Sequence, residues 1–360
     1  MVILKTVFKK LCQKSRRAIG LGLVVLLMHS APIMAENVLE PSYQWGRGYH
    51  IPSQNFSLGG YAKASYSYFE ATPQELALDD LSLFIAWKPF AHLHLFAELE
   101  LEDLFTLEGV TAFDDSFLVE RLYADVLIDD SFKLRIGKFL TPFSRWNLLH
   151  AAPLVWTSSR PMITKGFVAA RHSTGLELLY KTSLLNRDFN VSLFADDSKD
   201  LEIKSNLEMF SYAFGSRINY QLSPHFNIAG SYIAHKKEQQ TSSDWQHTVG
   251  VDFLWQQNNY ELQFEGFYNA RGQATDQYGL YLQGVAPLVD KLFAVGRYEY
   301  MYTDETWSEA SSSSKSIHVG VVGLTWRPKS PLALKVEYRF GQNNKTHAPS
   351  GVLTSVALFF

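Results

Sequence analysis

Along most of the chain, apolar and polar residues alternate with a period of two, which is typical of β-strands whose two faces meet different surroundings. In residues 260–268, for example, one parity is aromatic or aliphatic and the other carries Glu261, Gln263 and Glu265. Sixteen such segments occur, beginning near residues 57, 77, 91, 117, 131, 172, 188, 207, 225, 245, 259, 276, 290, 316, 331 and 350. The pattern predicts an all-β protein.

The connections between these segments alternate in length. Short connections rich in Pro, Asn or Asp fall at residues 88–91, 129–131, 222–224, 257–258, 287–289 and 328–330. Long polar connections fall at residues 197–206, 236–243, 303–315 and 342–349. Bacterial single-chain barrels have an even number of strands, short periplasmic turns and longer external loops. We therefore predict a transmembrane antiparallel β-barrel of about 16 strands.

A soluble β-sandwich or small barrel would show the same period of two. Such a protein could not bury so many charged residues without partners. A barrel of sixteen strands is too wide for side chains to fill, so charges on its inner face stay hydrated. The charges therefore favour the water-filled barrel.

The first 35 residues differ from the rest of the chain. Six Lys and Arg residues precede an apolar run of 11 residues, from Ala18 to Met28, and a short stretch ends at Ala35. A run of that length is too short for a membrane-spanning helix, so we predict a cleaved signal peptide at residues 1–35. Residues 36–55 would form a periplasmic N-terminal segment, and residues 56–360 the barrel.

Charge and motifs exclude several classes of function. Without the leader, 27 Lys and Arg stand against 36 Asp and Glu, a sign that disfavours binding to nucleic acid. The motifs G-x-S-x-G and H-E-x-x-H are absent, so we expect no enzyme. No cofactor or metal is expected either. His92 and His94 share a strand face with Glu98, but pairing of Glu98 with Arg121 is favoured over a metal site.

One connection, residues 140–171 after the fifth strand, is far longer than the others and rich in Trp, Leu, Val and Pro. It is the third external loop, and its apolar content predicts that it folds into the lumen. No Asp or Glu occurs from Phe139 to Leu176. The basic residues that we expect to line the pore constriction are Arg145, His150, Arg160, Lys165 and Arg171.

Two interpretations of these loop charges stay open. A ring of Arg and Lys at the narrow part of a pore favours anions and excludes cations. Alternatively, the basic side chains neutralise acids on the facing wall, such as Glu98, Glu100, Glu102 and Asp125. Two loop tryptophans, Trp146 and Trp156, could stack against sugars, although packing within the loop is the commoner role for such residues.

The stretch from Glu120 to Asn147, a strand, a turn, a strand and a Pro-Phe leading into the loop, resembles the phosphate-selective porin O/P family. The residues that carry the resemblance are Arg121, Ala124, Arg135, Gly137, Lys138, Phe139, Pro142 and Phe143. The resemblance implies a sixteen-stranded porin. The members of that family that select phosphate line the lumen with arginines and lysines. In this chain the positions predicted to face the lumen carry charges of both signs. The cations are Lys63, Arg121 and Arg135, and the acids are Glu98, Glu100 and Asp125.

Together these features predict an outer-membrane porin of a Gram-negative bacterium that passes small hydrophilic solutes, with a preference for phosphate-like or carboxylate anions. The alternatives are a binding channel for sugars or amphiphilic acids and a closed structural barrel. Expected partners are the solutes, outer-membrane lipids and the barrel-assembly machinery, and a homotrimer is possible in this class. The terminal Phe360 resembles the insertion signal of outer-membrane barrels, although it could serve only as an interfacial aromatic.

Overall fold

The computed structural model describes residues 40–70, 73–106, 109–110, 117–165, 169–197, 210–237, 245–272, 274–303, 316–342 and 349–360. The predicted signal peptide at residues 1–35 lies outside the described residues, and so does most of each long connection named above. Within the described residues, no helix is long and apolar enough to cross a membrane.

Sixteen long strands form a closed antiparallel barrel, in which each strand pairs with the next and the last pairs with the first. Each begins within three residues of its predicted start, which confirms the predicted fold class. The strands are β1 (Phe56–Phe69), β2 (Glu75–Phe90), β3 (Leu93–Thr106), β4 (Phe117–Leu127), β5 (Phe132–Leu140), β6 (His172–Leu184), β7 (Arg187–Asp196), β8 (Phe210–Ser223), β9 (Phe226–Lys237), β10 (Gln246–Gln257), β11 (Tyr260–Ala270), β12 (Gln277–Val289), β13 (Leu292–Tyr302), β14 (Ser316–Lys329), β15 (Leu332–Gln342) and β16 (Gly351–Phe359).

In this barrel the apolar face of each strand points outward and the polar face points into the lumen, the reverse of a soluble barrel. Leu262 and Tyr268 of β11 are exposed on the outer face, whereas Gln263 and Glu265 are buried on the inner face. The same separation holds along β15, where Lys335, Glu337 and Arg339 are the inward residues and Val336 and Tyr338 are exposed. An apolar outer face and a polar lumen are what a lipid bilayer requires of a barrel.

Several short elements accompany the barrel. A hairpin of two short strands, Ser42–Gln44 and Gly48–Ile51, is followed by a single 3-10 turn at Pro52–Gln54. The second short strand pairs with the start of β1, so this part of the predicted N-terminal segment lies at the end of the barrel that carries the tight turns. A two-residue strand at Gly109–Val110 pairs with the end of β3. The third loop contains the helix α1 (Arg145–Leu148) and a 3-10 turn at Met162–Thr164.

Three prolines mark bulges rather than turns, which corrects the predicted positions of three connections. Strand β12 continues through Pro287 to Val289, and the strands containing Pro89 and Pro328 likewise continue beyond them. The pairing register shifts at each of these places. Proline has no N–H to donate, so it fits where a bulge interrupts the hydrogen-bond ladder.

Candidate functional site

The described part of the third loop, residues 141–165 and 169–171, lies inside the barrel, as predicted, and wall carboxylates bind its backbone. Ser144 caps α1 by accepting a hydrogen bond from the Asn147 N–H at 3.0 Å. The first two N–H groups of the helix, at Arg145 and Trp146, donate to the Glu265 carboxylate at 3.1 and 2.8 Å. A carboxylate at a helix N-terminus satisfies N–H groups that have no partner within the helix.

Two further carboxylates hold the middle of the loop. Glu337 on β15 accepts hydrogen bonds from the N–H groups of Ser158 and Ser159 at 2.8 and 2.9 Å. Glu299 on β13 accepts one from the Met162 N–H at 2.6 Å. Both carboxylates are buried beneath the loop, where they bind backbone N–H groups and, in Glu299, also the Arg297 guanidinium, so their charge does not face the lumen water.

Wall cations bind the loop in the opposite sense, through its carbonyl groups. The Lys335 ammonium donates to the Ala152 carbonyl at 2.7 Å and to the Thr157 carbonyl at 3.2 Å. The Arg327 guanidinium donates to the Pro153 carbonyl at 2.6 Å. Donors and acceptors of the wall therefore hold a segment that has little regular structure of its own.

The predicted constriction residues fall into different environments. Arg145 reaches the wall, where its Nε lies 3.3 Å from the Asp252 carboxylate, which Arg217 also contacts at 2.7 Å. His150 and Arg171 approach Glu120, which is fully buried, at 3.3 and 3.4 Å.

Arg160 and Lys165 have no ion pair with a carboxylate among the described residues. Arg160 donates within the loop, to the Thr164 carbonyl at 2.7 Å and the Asn147 side-chain oxygen at 2.9 Å. Burial, with the Arg171 guanidinium nearby, lowers the pKa of Arg160 to about 9. Burial and the Arg339 guanidinium lower the pKa of Lys165 to about 8. Both side chains therefore stay positively charged at neutral pH.

The wall residues named from the sequence pair mainly with one another. Lys63 lies 2.9 Å from Asp79, Arg121 pairs with Glu98, and Glu100 accepts a hydrogen bond from Tyr61 at 3.0 Å. The Arg135 guanidinium lies 2.7 Å from Asp125 and 3.2 Å from Glu177. Where loop cations pair with wall acids, as Arg145 and Arg171 do, the partners are Asp252 and Glu120 rather than Glu98 or Asp125.

In most of these pairs the cation reaches the lumen and the carboxylate does not. The exposed fraction of the side chain is 23% for Arg121 against 1% for Glu98, and 13% for Arg145 against 3% for Asp252. Arg135 and Arg171 exceed their partners in the same way. A guanidinium sits at the end of a longer side chain, so it extends past a shorter acid that starts from the same wall. The charge that lumen water meets is therefore more positive than a residue count indicates.

The two tryptophans pack within the protein. Trp146 is buried beside Ile163, Phe267 and Tyr281. Trp156 lies 4.9 Å from the ring of Phe293, with a guanidinium over its face. This placement favours packing over stacking against a sugar.

Phe360 pairs its backbone with Gly60 of β1, the two N–H groups donating at 2.9 and 3.1 Å. Its ring covers that glycine: a Cβ added at Gly60 would lie 2.8 Å from the Phe360 Cζ. The last residue thus completes the seam where the barrel closes. Its role as an insertion signal stays a prediction.

Cavities flank the loop on two sides. The larger, of 440 Å³, lies between α1 and the inner faces of β4 to β8. The smaller, of 180 Å³, lies between the loop and residues of β1, β2, β3 and β15. In the part of the chain that the structure describes, no three His, Cys, Asp or Glu side chains are grouped as a metal ion would need.

No family model and no curated protein matches the sequence. Solved structures share its fold. The anion-selective porin from Comamonas acidovorans is 13% identical, with a TM-score of 0.62, covering 85% of this chain and 99% of that one. The outer-membrane channel DcaP of Acinetobacter baumannii is 12% identical, with a TM-score of 0.60, covering 87% and 100%. The trimer form of OmpT, an outer-membrane protein of Vibrio cholerae, is 10% identical, with a TM-score of 0.59, covering 85% and 99%.

At these identities the likeness shows the fold alone. The chain has the fold of outer-membrane porins. The finer resemblance to the phosphate-selective O/P family stays a prediction, because no family model supports it.

Proposed function

We propose that the protein is an outer-membrane porin through which small hydrophilic solutes diffuse passively, with a preference for anions. The observation that carries this proposal is the unequal exposure within the lumen ion pairs, where guanidinium groups meet the water and carboxylates lie behind them. A low-dielectric wall strengthens the field of such groups across a narrow lumen.

In this proposal the constriction is formed by the third loop. Arg160 and Lys165 contribute charges with no carboxylate partner among the described residues, and Arg145 shares a single carboxylate with Arg217. His150 and Arg171 both stand beside the same buried acid, Glu120. Phosphate and carboxylate solutes both suit guanidinium groups, which bind them with two parallel hydrogen bonds.

Several expectations belong to the same proposal. Residues 1–35 would be removed on export, and the barrel would be inserted in the outer membrane of a Gram-negative bacterium through recognition of its last strand, with Phe360 at the end. The chain would act without enzymatic activity or cofactor. A homotrimer is proposed by likeness to the trimer form of OmpT.

The test is the reversal potential of residues 36–360 in planar bilayers, under a KCl gradient at low ionic strength. The proposal expects a potential of the sign that chloride preference gives. It also expects a shift toward cations when Arg145, Arg160 and Lys165 are all replaced by Gln. The shift should shrink toward 1 M salt, where the Debye length falls to about 3 Å. Potassium preference in the unaltered protein would overturn the proposal, and absence of conductance would favour a closed structural barrel.

A further inference from the structure

We propose that the 440 Å³ cavity between α1 and strands β4 to β8 binds an organic carboxylate with an apolar body. This inference rests on the proposed function and names a solute class for the same lumen. It concerns a cavity beside the third loop, whose lining includes one of the loop cations, Arg145.

The charge of the cavity is positive. Its lining contains five cationic side chains and one carboxylate, Glu177. Three acids that pair with these arginines, Glu98, Asp125 and Asp252, are buried and absent from the lining. Glu177, which pairs with Arg135, is the carboxylate that remains in it. The cationic side chains are Arg121, Arg135, Arg145, Lys181 and Arg217.

Lys181 is the cation best placed to hold a ligand. It is exposed within the cavity and has no ion pair among the described residues. Arg121 and Arg135 lie on the same inner wall, and the side chain of each is partly exposed. A carboxylate in the cavity would therefore meet one free ammonium and two guanidinium edges.

The apolar surface of the cavity comes from the loop. Leu148 and Leu149, at the end of α1, are both exposed although the loop is buried in the lumen around them. Leu140 and Pro142 add to this surface. Exposed leucines beside cations do not strengthen the binding of an inorganic anion, because such an anion has no apolar part to cover them. They match an anion whose remaining atoms are apolar.

An aromatic stripe leads to the cavity along the wall. The rings of Phe84, Phe96 and Tyr123 lie on adjacent strands, with centroids 6.1 and 5.3 Å apart. The guanidinium of Arg121 lies 4.7 Å from the Phe96 ring centre, and that of Arg135 lies 3.9 Å from the Tyr123 ring centre. Rings and cations therefore alternate along one path, as an amphiphilic anion requires. The cavity volume falls in the range of about 300–1,000 Å³ that is usual for small-molecule sites.

The probes are 3-phenylpropionate, propionate and 3-phenylpropanamide, which separate the charge from the apolar body. Each is added to the protein in planar bilayers, and block is recorded as a fraction of that protein's own KCl conductance. The inference expects saturable block by 3-phenylpropionate and little block by the other two at the same concentration. Equal block by propionate would mean a plain anion site, and equal block by the amide would mean a plain apolar one; either overturns the inference.

The variants test the location. Replacing both Leu148→Asn and Leu149→Asn should raise the half-blocking concentration of 3-phenylpropionate about tenfold, because apolar contact is lost. Lys181→Gln should raise it about threefold. The matched control, Lys291→Gln, lies in the exposed turn between β12 and β13 and should change neither the block nor the conductance. Heat-modifiable migration on gels reports that each barrel is folded. Unchanged block in both cavity variants would overturn the inference.

Failure of this inference is distinct from failure of the proposed function. If the channel conducts with chloride preference but is not blocked by 3-phenylpropionate, the inferred binding site is overturned and the proposed porin function stands. If the folded protein does not conduct, calorimetry of 3-phenylpropionate binding in detergent decides the site by itself. Binding that the two leucine substitutions weaken would support the inference, and absence of binding would overturn it.

Discussion

The two sides of the barrel wall use charged side chains in opposite ways. Along β11 to β15, Glu265, Glu299 and Glu337 bind backbone N–H groups of the third loop, and Lys335 binds its carbonyls. Along β1 to β6, most charged residues pair with one another across neighbouring strands, as Arg121 does with Glu98, and Glu120 of β4 is the exception, with His150 and Arg171 of the loop beside it. We call the first side the loop-binding wall, because it holds the third loop in place. We call the second side the cation-exposing wall, because its cations give the lumen its charge.

The difference shows why a count of charges says little about a pore. Glu337 and Glu98 are both inward acids, and both are almost fully buried. One is covered by loop backbone and the other by the Arg121 side chain. Neither presents its charge to a passing ion, while the guanidinium that covers Glu98 does.

The largest effect is expected from loosening the loop. Replacing Glu299→Ala and Glu337→Ala together removes the acceptors of three loop N–H groups. Each buried donor left without a partner costs about 1–3 kcal/mol, so the loop should detach from the loop-binding wall. Single-channel recording should show higher conductance and frequent current fluctuations.

The control for that experiment is Glu98→Ala on the cation-exposing wall. It should leave the fluctuations low, since Glu98 has no hydrogen bond to the described part of the loop and its partner is Arg121. If both variants fluctuate alike, the two walls do not differ in the way described.

The next effect concerns selectivity. The double substitution Arg121→Gln and Arg135→Gln removes two partly exposed cations and should lower the ratio of anion to cation permeability about twofold to fivefold. The matched control is Arg297→Gln, because Arg297 is fully buried, where it contacts Glu299 at 2.7 Å and the Ser159 hydroxyl at 2.8 Å. We expect the control to lower the melting temperature and leave the permeability ratio near its original value. A control that shifts the ratio as far as the double variant would show that exposure is not what matters.

The smallest effect is a dependence on pH. Burial lowers the pKa of Lys165 to about 8, so the side chain is charged below that pH and neutral above it. Anion preference should therefore fall slightly, by less than about twofold, between pH 7 and pH 9. Lys165→Met should remove the larger part of this fall, because Arg160, with a pKa of about 9, loses charge only toward the upper end of the range. A fall of the same size in the variant would assign the titration to another group.

Sequence reasoning predicted the barrel well because its main signal, a period of two, is local. Every strand start followed from alternation alone, as did the inward faces of β11 and β15. The errors were also local. Proline lacks an N–H for the hydrogen-bond ladder, and this holds equally in a turn and in a bulge. The sequence therefore predicts turns at Pro89, Pro287 and Pro328, where the structure has bulges.

The site was harder to predict because its contacts join residues far apart in the chain. Parity placed Glu265 and Glu337 in the lumen, but nothing in the sequence indicates that they bind the backbone of residues 145–146 and 158–159. The sequence likewise does not indicate the partners of Arg145 and Arg171. Asp252 comes close to Arg145, and Glu120 to Arg171, only when the loop is folded into the barrel. One signal was available: the absence of acids in the loop implied that its partners lie elsewhere.

The measurement that tests the central claim most directly is the position of ions in crystals soaked in rubidium bromide, where both ions scatter anomalously. The account predicts bromide beside Arg121, Arg135 and Lys181, and no rubidium at Glu98 or Asp252, because those carboxylates do not face the lumen water. Rubidium bound at these carboxylates, with no bromide at the cations, would contradict it.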